Sequence, residues 1–316
     1  MISQSPPPMR KCEVEAVESQ PSRRLIGISL LPAAATLGNL VCGFLAVFCC
    51  LLAMRAEYSQ VYNIQPRVFH PRLEQLFPTH IAAGAYLVLL AMFFDALDGR
   101  LARLTRRTSE FGAQLDSISD IVSFGIAPVA LMVTMLLRPL AGESPEIPDA
   151  SRLQFRVGMA CALVYLSCAA IRLARYNAEN IRSEAAQRAF SGLPSPGAAA
   201  VVVSLVALHE HLRSVSVAAA ASGWLNLSRW LLAAAAFGVG LLMVSRVDYV
   251  HVFNVYLRRK HPPTRLIWLV VILGLGWKSF ELLLVALAGA YVLSGPVAAA
   301  ARLVRRRPAA GPPDGG

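Results

Sequence analysis

The sequence predicts an all-α membrane protein, a polytopic bundle of about eight transmembrane helices. Three observations predict it. Hydrophobic residues make up 56% of the 316-residue chain and charged residues only 16%, against about a quarter in soluble proteins. Apolar runs recur along the whole length, several of them near the roughly 20 helical residues that cross a hydrocarbon core of about 30 Å. Lys and Arg fall unequally on the two sides that these runs would define.

The elements follow in order. The first apolar run begins near Ile26 and continues to about Met54, longer than the apolar region of a cleaved signal peptide. Counted as a span over 28–54, it is followed by spans near 81–99, 119–139, 156–174, 196–212, 229–245, 264–278 and 280–297. The fifth has the weakest pattern, because His209, Glu210 and His211 interrupt it. The last two are expected to form a hairpin turning near Lys278. Residues 1–24 and 299–316 are polar or rich in Pro and Gly and are expected to be disordered tails. One membrane domain, 25–298, lies between them. Cys42, Cys49, Cys50, Cys161 and Cys168 fall in apolar segments without metal-finger spacing, and read as small buried hydrophobes.

The net charge of +11 is distributed asymmetrically. With the N-terminus inside, the cytoplasmic segments hold 21 Lys and Arg and the external ones 9. This predicts a multi-pass cell-membrane protein with both termini cytoplasmic. Topology and attraction to anionic headgroups account for the basic balance, so no nucleic-acid partner is implied.

The chemistry concentrates in "FFDALDGRLARLTRRTSEFGAQLDSISDIVSFGIAP", residues 93–128. Asp95 and Asp98 are three apart, and Asp116 and Asp120 four apart, so each pair shares a helix face. An isolated carboxylate at membrane depth costs several kcal/mol and normally faces a polar cavity or a partner. Two such pairs brought together repel unless cations neutralise them, and oxygen donors of this kind suit magnesium, manganese or calcium. Gly99, Ala102 and Gly112 let a bulky ligand approach the backbone. Arg100, Arg103, Arg106 and Arg107 follow at the cytoplasmic end, where a phosphate can meet them, although an Arg run after a span is ordinarily a topology anchor. A single Asp at a span end is ordinarily solvated or paired with Arg; two pairs at helical spacing are not so easily explained.

The pattern Asp95-x2-Asp98-Gly99-x2-Ala102-Arg103-x8-Gly112-x3-Asp116-x3-Asp120 resembles the signature of the CDP-alcohol phosphatidyltransferases at every defined position. "TLGNLVCGFLAV" (36–47), "EFGAQLDSISDIVSFGIAP" (110–128), "RLARYN" (172–177) and "GLPSPGAAA" (192–200) look like the membrane-embedded bacterial phosphatidylserine synthases within that family. The resemblance covers roughly residues 25–295. It implies transfer of the phosphatidyl group from CDP-diacylglycerol to L-serine, with CMP released at the cytoplasmic face. It implies two divalent ions, Mg2+ or Mn2+, held by Asp95, Asp98, Asp116 and Asp120. Asp120, the last aspartate of the signature, is then the base that takes the serine hydroxyl proton. Asn39, Gly99, Ala102, Arg103 and Gly112 are expected to contact the CDP-lipid.

Serine also needs its carboxylate held, and an arginine can grip a carboxylate with two hydrogen bonds. Arg172 and Arg175, beside Asn177 at the cytoplasmic end of the fourth span, are the candidates; topology anchoring is the plainer explanation of the same charges. "GLPSP" reads as a helix-start turn without direct chemistry. His209 and His211 fall on the external side and carry no expected role. Other acceptors, such as glycerol phosphate or inositol phosphate, remain open, because the signature does not choose among alcohols. A cation transporter using intramembrane carboxylates and a non-catalytic lipid-binding protein are the readings from other classes. Membrane lipids are the expected surroundings, and a homodimer is one option for assembly.

Overall fold

A computed structural model describes residues 26–61, 79–105, 110–138, 153–180, 192–215, 222–247, 249 and 280–305. Among the described residues there are helices and no strand. The helices are α1 (Ile26–Val61), α2 (His80–Thr105), α3 (Glu110–Asp120), a π-helical turn (Ile121–Ile126), α4 (Ala127–Leu137), α5 (Leu153–Asn180), α6 (Ser195–Val215), α7 (Ser222–Val244) and α8 (Phe280–Arg305). With α3, the π turn and α4 forming one rod, seven helices among the described residues are long and apolar enough to cross a bilayer. Seven of the eight expected spans therefore coincide with helices; the expected span at 264–278 and its hairpin near Lys278 lie outside the described residues. The third helix begins at Glu110, nine residues before the apolar pattern predicts, and α8 continues to Arg305, beyond residue 298.

α6 occupies the centre, packed against α2, α4, α7 and α8. Its Ala198, Ala199, Val202, Val203 and Val206 are buried, and small side chains there let the neighbouring helices approach closely. α1 lies along α2 and also meets α3, the π turn and α4. Large apolar side chains on the periphery, such as Phe44, Leu51, Phe93 and Leu293, face outward, where lipid replaces water as their surroundings. Cys42, Cys49, Cys50 and Cys168 are buried free thiols, in keeping with their reading as small hydrophobes.

The π turn has a cause in the sequence. Pro128 has no N–H to give to the Phe124 carbonyl four residues earlier. The Ala127 N–H reaches back five residues to the Val122 carbonyl, and the Phe124 carbonyl instead accepts the hydroxyl of fully buried Tyr165, at 2.7 Å. The same solution recurs in α8. Pro296 cannot serve the Val292 carbonyl, and the Tyr249 hydroxyl does so at 3.1 Å. These two proline-freed carbonyls thus each have a tyrosine, in keeping with the needs of a low-dielectric interior.

Polar contacts gather at the two ends of the bundle. At one end, Glu210 of α6 is fully buried and pairs with Arg138 at 2.9 Å. Nearby, His209 meets Ser228 at 2.6 Å, and Glu281 accepts from Tyr86 at 3.0 Å. The residues that weaken the fifth span in the sequence are therefore engaged side chains within a continuous helix. The other end holds the aspartates.

Candidate active site

Asp95 and Asp98 lie in the second half of α2, Asp116 lies one turn before the end of α3, and Asp120 is its last residue. One carboxylate oxygen each from Asp95, Asp116 and Asp120 lie within 4.8 Å of one another. An ion bound to oxygens at about 2.0–2.6 Å sets its ligands at most about 4–5 Å apart. The three oxygens are therefore close enough to share a single hard divalent cation, and carboxylate oxygen is the donor such a cation prefers. Asp98 stands beside this group with its Oδ2 engaged by the Thr36 hydroxyl, which also lies 3.0 Å from the Pro32 carbonyl.

α1 supports the carboxylates through a series of short contacts. Asn39 is fully buried and its Nδ2 donates to Asp120 Oδ1 at 3.1 Å. Its own Oδ1 is buried and has no hydrogen-bond partner among the described residues. Ser119 and Ser123, one turn apart, donate to the carbonyls of Thr36 at 3.3 Å and Asn39 at 2.9 Å. The approach requires Gly43: a Cβ there would come 2.3 Å from Ser123 Oγ and 2.8 Å from its Cα. The backbones of α1 and the π turn are thus in contact, and Asn39 is held one turn away from that contact.

On the opposite side stands α5. Arg172 Nη1 donates to Ser195 Oγ at 2.8 Å, and its guanidinium is within electrostatic reach of Asp120 and Asp95. Asn177 Oδ1 accepts from Ser117 Oγ at 3.1 Å, and Arg175 is exposed. Gly99 has nothing within 4 Å of where a Cβ would be, so the space beside it is open. Gly112 lies one turn before Asp116 in α3. Ala102 and Arg103 are in the last turn of α2, their side chains outside the described part of the structure. The structure thus brings together Asp95, Asp116, Asp120, Asn39 and Arg172, with Asp98 adjacent. Thr36, Ser119, Ser123 and Ser195 were not legible as site residues. The available signal was their hydroxyls within apolar runs, Ser119 and Ser123 in step with Asp116 and Asp120.

The sequence matches a known family. The model of the CDP-alcohol phosphatidyltransferases matches residues 29–239, which include nearly all of α1, the whole of α2 to α6, most of α7 and every site residue named above. The chain belongs to the CDP-alcohol phosphatidyltransferase family. A Mycobacterium leprae protein named CDP-diacylglycerol–serine O-phosphatidyltransferase is 29% identical over 72% of this chain and 60% of its own length. A Bacillus subtilis protein of the same name is 26% identical over 71% of this chain and 92% of its own. One from Methanocaldococcus jannaschii is 34% identical over 45% of this chain and 59% of its own. The chain thus spans less than two thirds of the mycobacterial and archaeal relatives it matches. Its family and the seven long apolar helices among the described residues make it a multi-pass membrane protein.

Proposed function

We propose that the protein transfers the phosphatidyl group of CDP-diacylglycerol to L-serine, releasing CMP, within one membrane domain over residues 25–298. The observation that carries the proposal is the convergence of Asp95, Asp116 and Asp120 within 4.8 Å in a chain whose curated relatives bear the name of that activity. The aspartates would hold magnesium or manganese, two ions once Asp98 also contributes. Such ions supply charge neutralisation at the diphosphate and at the departing CMP.

The chain's own residues do the rest. The serine hydroxyl is a poor nucleophile until a base removes its proton. Asp120 is that base: Asn39 fixes its Oδ1, which leaves Oδ2 to take the proton. The serine oxygen bonds to the phosphorus that carries diacylglycerol, the bond from that phosphorus to the CMP oxygen breaks, and CMP leaves with the electron pair. Gly99 and Gly112 leave room for the nucleotide, Ala102 and Arg103 extend that wall, and the Asn39 Oδ1 is free to accept from the ligand. Arg172 is the stronger candidate for the serine carboxylate, with Arg175 and Asn177 flanking it. The 21-to-9 distribution of Lys and Arg supports a site at the cytoplasmic face with both termini on that side.

The test is CMP release from CDP-diacylglycerol by purified protein offered serine, glycerol phosphate, inositol phosphate or ethanolamine in turn. Serine should give the highest kcat/KM. Preference for another alcohol would reassign the acceptor, and no CMP with any alcohol would remove the activity altogether.

A further inference from the structure

We infer that Ser195 is a positioning residue for Arg172, and that the turn "GLPS" at the start of α6 sets the choice of a carboxylate-bearing acceptor. The inference rests on the transferase reading above and names the part of that site which distinguishes an amino acid from a simple alcohol.

Ser195 is 1% exposed and opens α6. Its hydroxyl oxygen is the hydrogen-bond acceptor for Arg172 Nη1, at 2.8 Å. A guanidinium carries five N–H donors in a planar fork, so fixing one nitrogen fixes the plane in which the others point. The arginine side chain otherwise has many rotamers, and their loss on binding weakens affinity. Ser195 removes much of that freedom in advance.

The turn that carries Ser195 is itself rigidly held. Gly192 has φ +107, a conformation side chains rarely adopt, and a Cβ there would come 2.6 Å from the Met243 carbonyl oxygen. The Gly192 and Leu193 N–H groups donate to the Val247 and Leu242 carbonyls at 2.8 and 3.0 Å, so the turn is bolted to the end of α7. Tyr291 of α8 closes the third side. It packs on Gly197, where a Cβ would lie 2.7 Å from its ring, and it is within electrostatic reach of Arg172. A fixed guanidinium beside the aspartates, backed by a serine and a tyrosine, suits a small zwitterion whose hydroxyl must reach Asp120 while its carboxylate is gripped.

A plainer role for Arg172 is to balance the negative charge of Asp95 and Asp120. The two roles separate in kinetics. Ser195→Ala keeps the charge of Arg172 but releases its orientation, so the serine KM should rise about tenfold, in line with loss of one well-placed hydrogen bond. The CDP-diacylglycerol KM and the Mg2+ concentration for half activity should stay within about twofold. The ratio of serine to ethanolamine kcat/KM should fall by the same tenfold, since ethanolamine lacks the carboxylate. Ser195→Thr, which retains the hydroxyl, should restore serine affinity. An unchanged serine KM in a folded, active Ser195→Ala protein overturns the inference. So does a shift in the Mg2+ requirement with serine affinity intact, which would make the arginine a counter-charge. A wild-type protein that releases CMP with other alcohols and never with serine overturns the acceptor reading itself, and this subsite with it.

Discussion

Asp98 has one oxygen engaged by the Thr36 hydroxyl, as Asp120 has one engaged by the Asn39 amide. Thr36→Val keeps the shape and removes that hydrogen bond. Outer partners of metal ligands are commonly worth 10- to 100-fold in metal affinity or activity, so the Mg2+ concentration for half activity should rise about tenfold when ion is titrated into chelated protein. An unchanged requirement would place Asp98 outside the surroundings of the ion. Asp116→Asn keeps the shape of a central ligand and removes its charge. Several kcal/mol of transition-state stabilisation should go with it, at least about a hundredfold in rate, without rescue by excess ion. The aspartates were legible in the sequence because carboxylates are scarce in apolar helices and their three- and four-residue spacing is visible. Thr36 and Ser119 were not, because a hydroxyl within a helix can satisfy itself on a carbonyl of the preceding turn, as both do here; Ser195, between two prolines at a helix start, read as a turn residue. Only the fold reveals which of them also face another helix.

α3, the π turn and α4 together show how an element is built around its irregularity. The Phe124 carbonyl, deprived of its usual donor by Pro128, depends on Tyr165. Tyr165→Phe should cost about 1–3 kcal/mol for a buried acceptor left unsatisfied, read as lower thermal stability in detergent. Unaltered stability would mean that the carbonyl finds another donor. Two glycines give an opposed pair. Gly43→Ala brings a Cβ to 2.8 Å from the Ser123 backbone; overpacking of this kind costs about 1–3 kcal/mol, and it should also reduce activity by moving Asn39 away from Asp120. Gly99→Ala meets nothing within 4 Å, so stability should hold while CDP-diacylglycerol binding weakens if the nucleotide lies there. Hydropathy read the apolar part of this rod and missed its first nine residues, where Gln114, Asp116 and Ser117 make the pattern polar. The polarity that hid the helix boundary is the polarity the site uses. Pro128 was the one visible sign of the π turn, and a proline after an apolar run equally marks an ordinary helix start.

The whole molecule separates its two polar ends by an apolar bundle, so each can be perturbed alone. Glu210 and Arg138 join α6 to α4 far from the aspartates. Glu210→Gln takes the charge opposite a largely buried arginine, which should cost roughly 3–5 kcal/mol, and the protein that stays folded should keep its serine KM. The membrane-helix count and the charge asymmetry were legible because composition and length carry them, whereas the burial of Glu210 within a span depends on which helices surround it. At this scale the proposed function is that of a membrane bundle which gathers aspartates from two helices to join serine to a CDP-lipid. The most direct measurement is incorporation of labelled serine into lipid by the purified protein, with and without CDP-diacylglycerol and with and without a chelator. Phosphatidylserine should form only when the CDP-lipid and Mg2+ or Mn2+ are both present. Incorporation that persists in excess chelator, or none under any condition while CMP is still released, would contradict it.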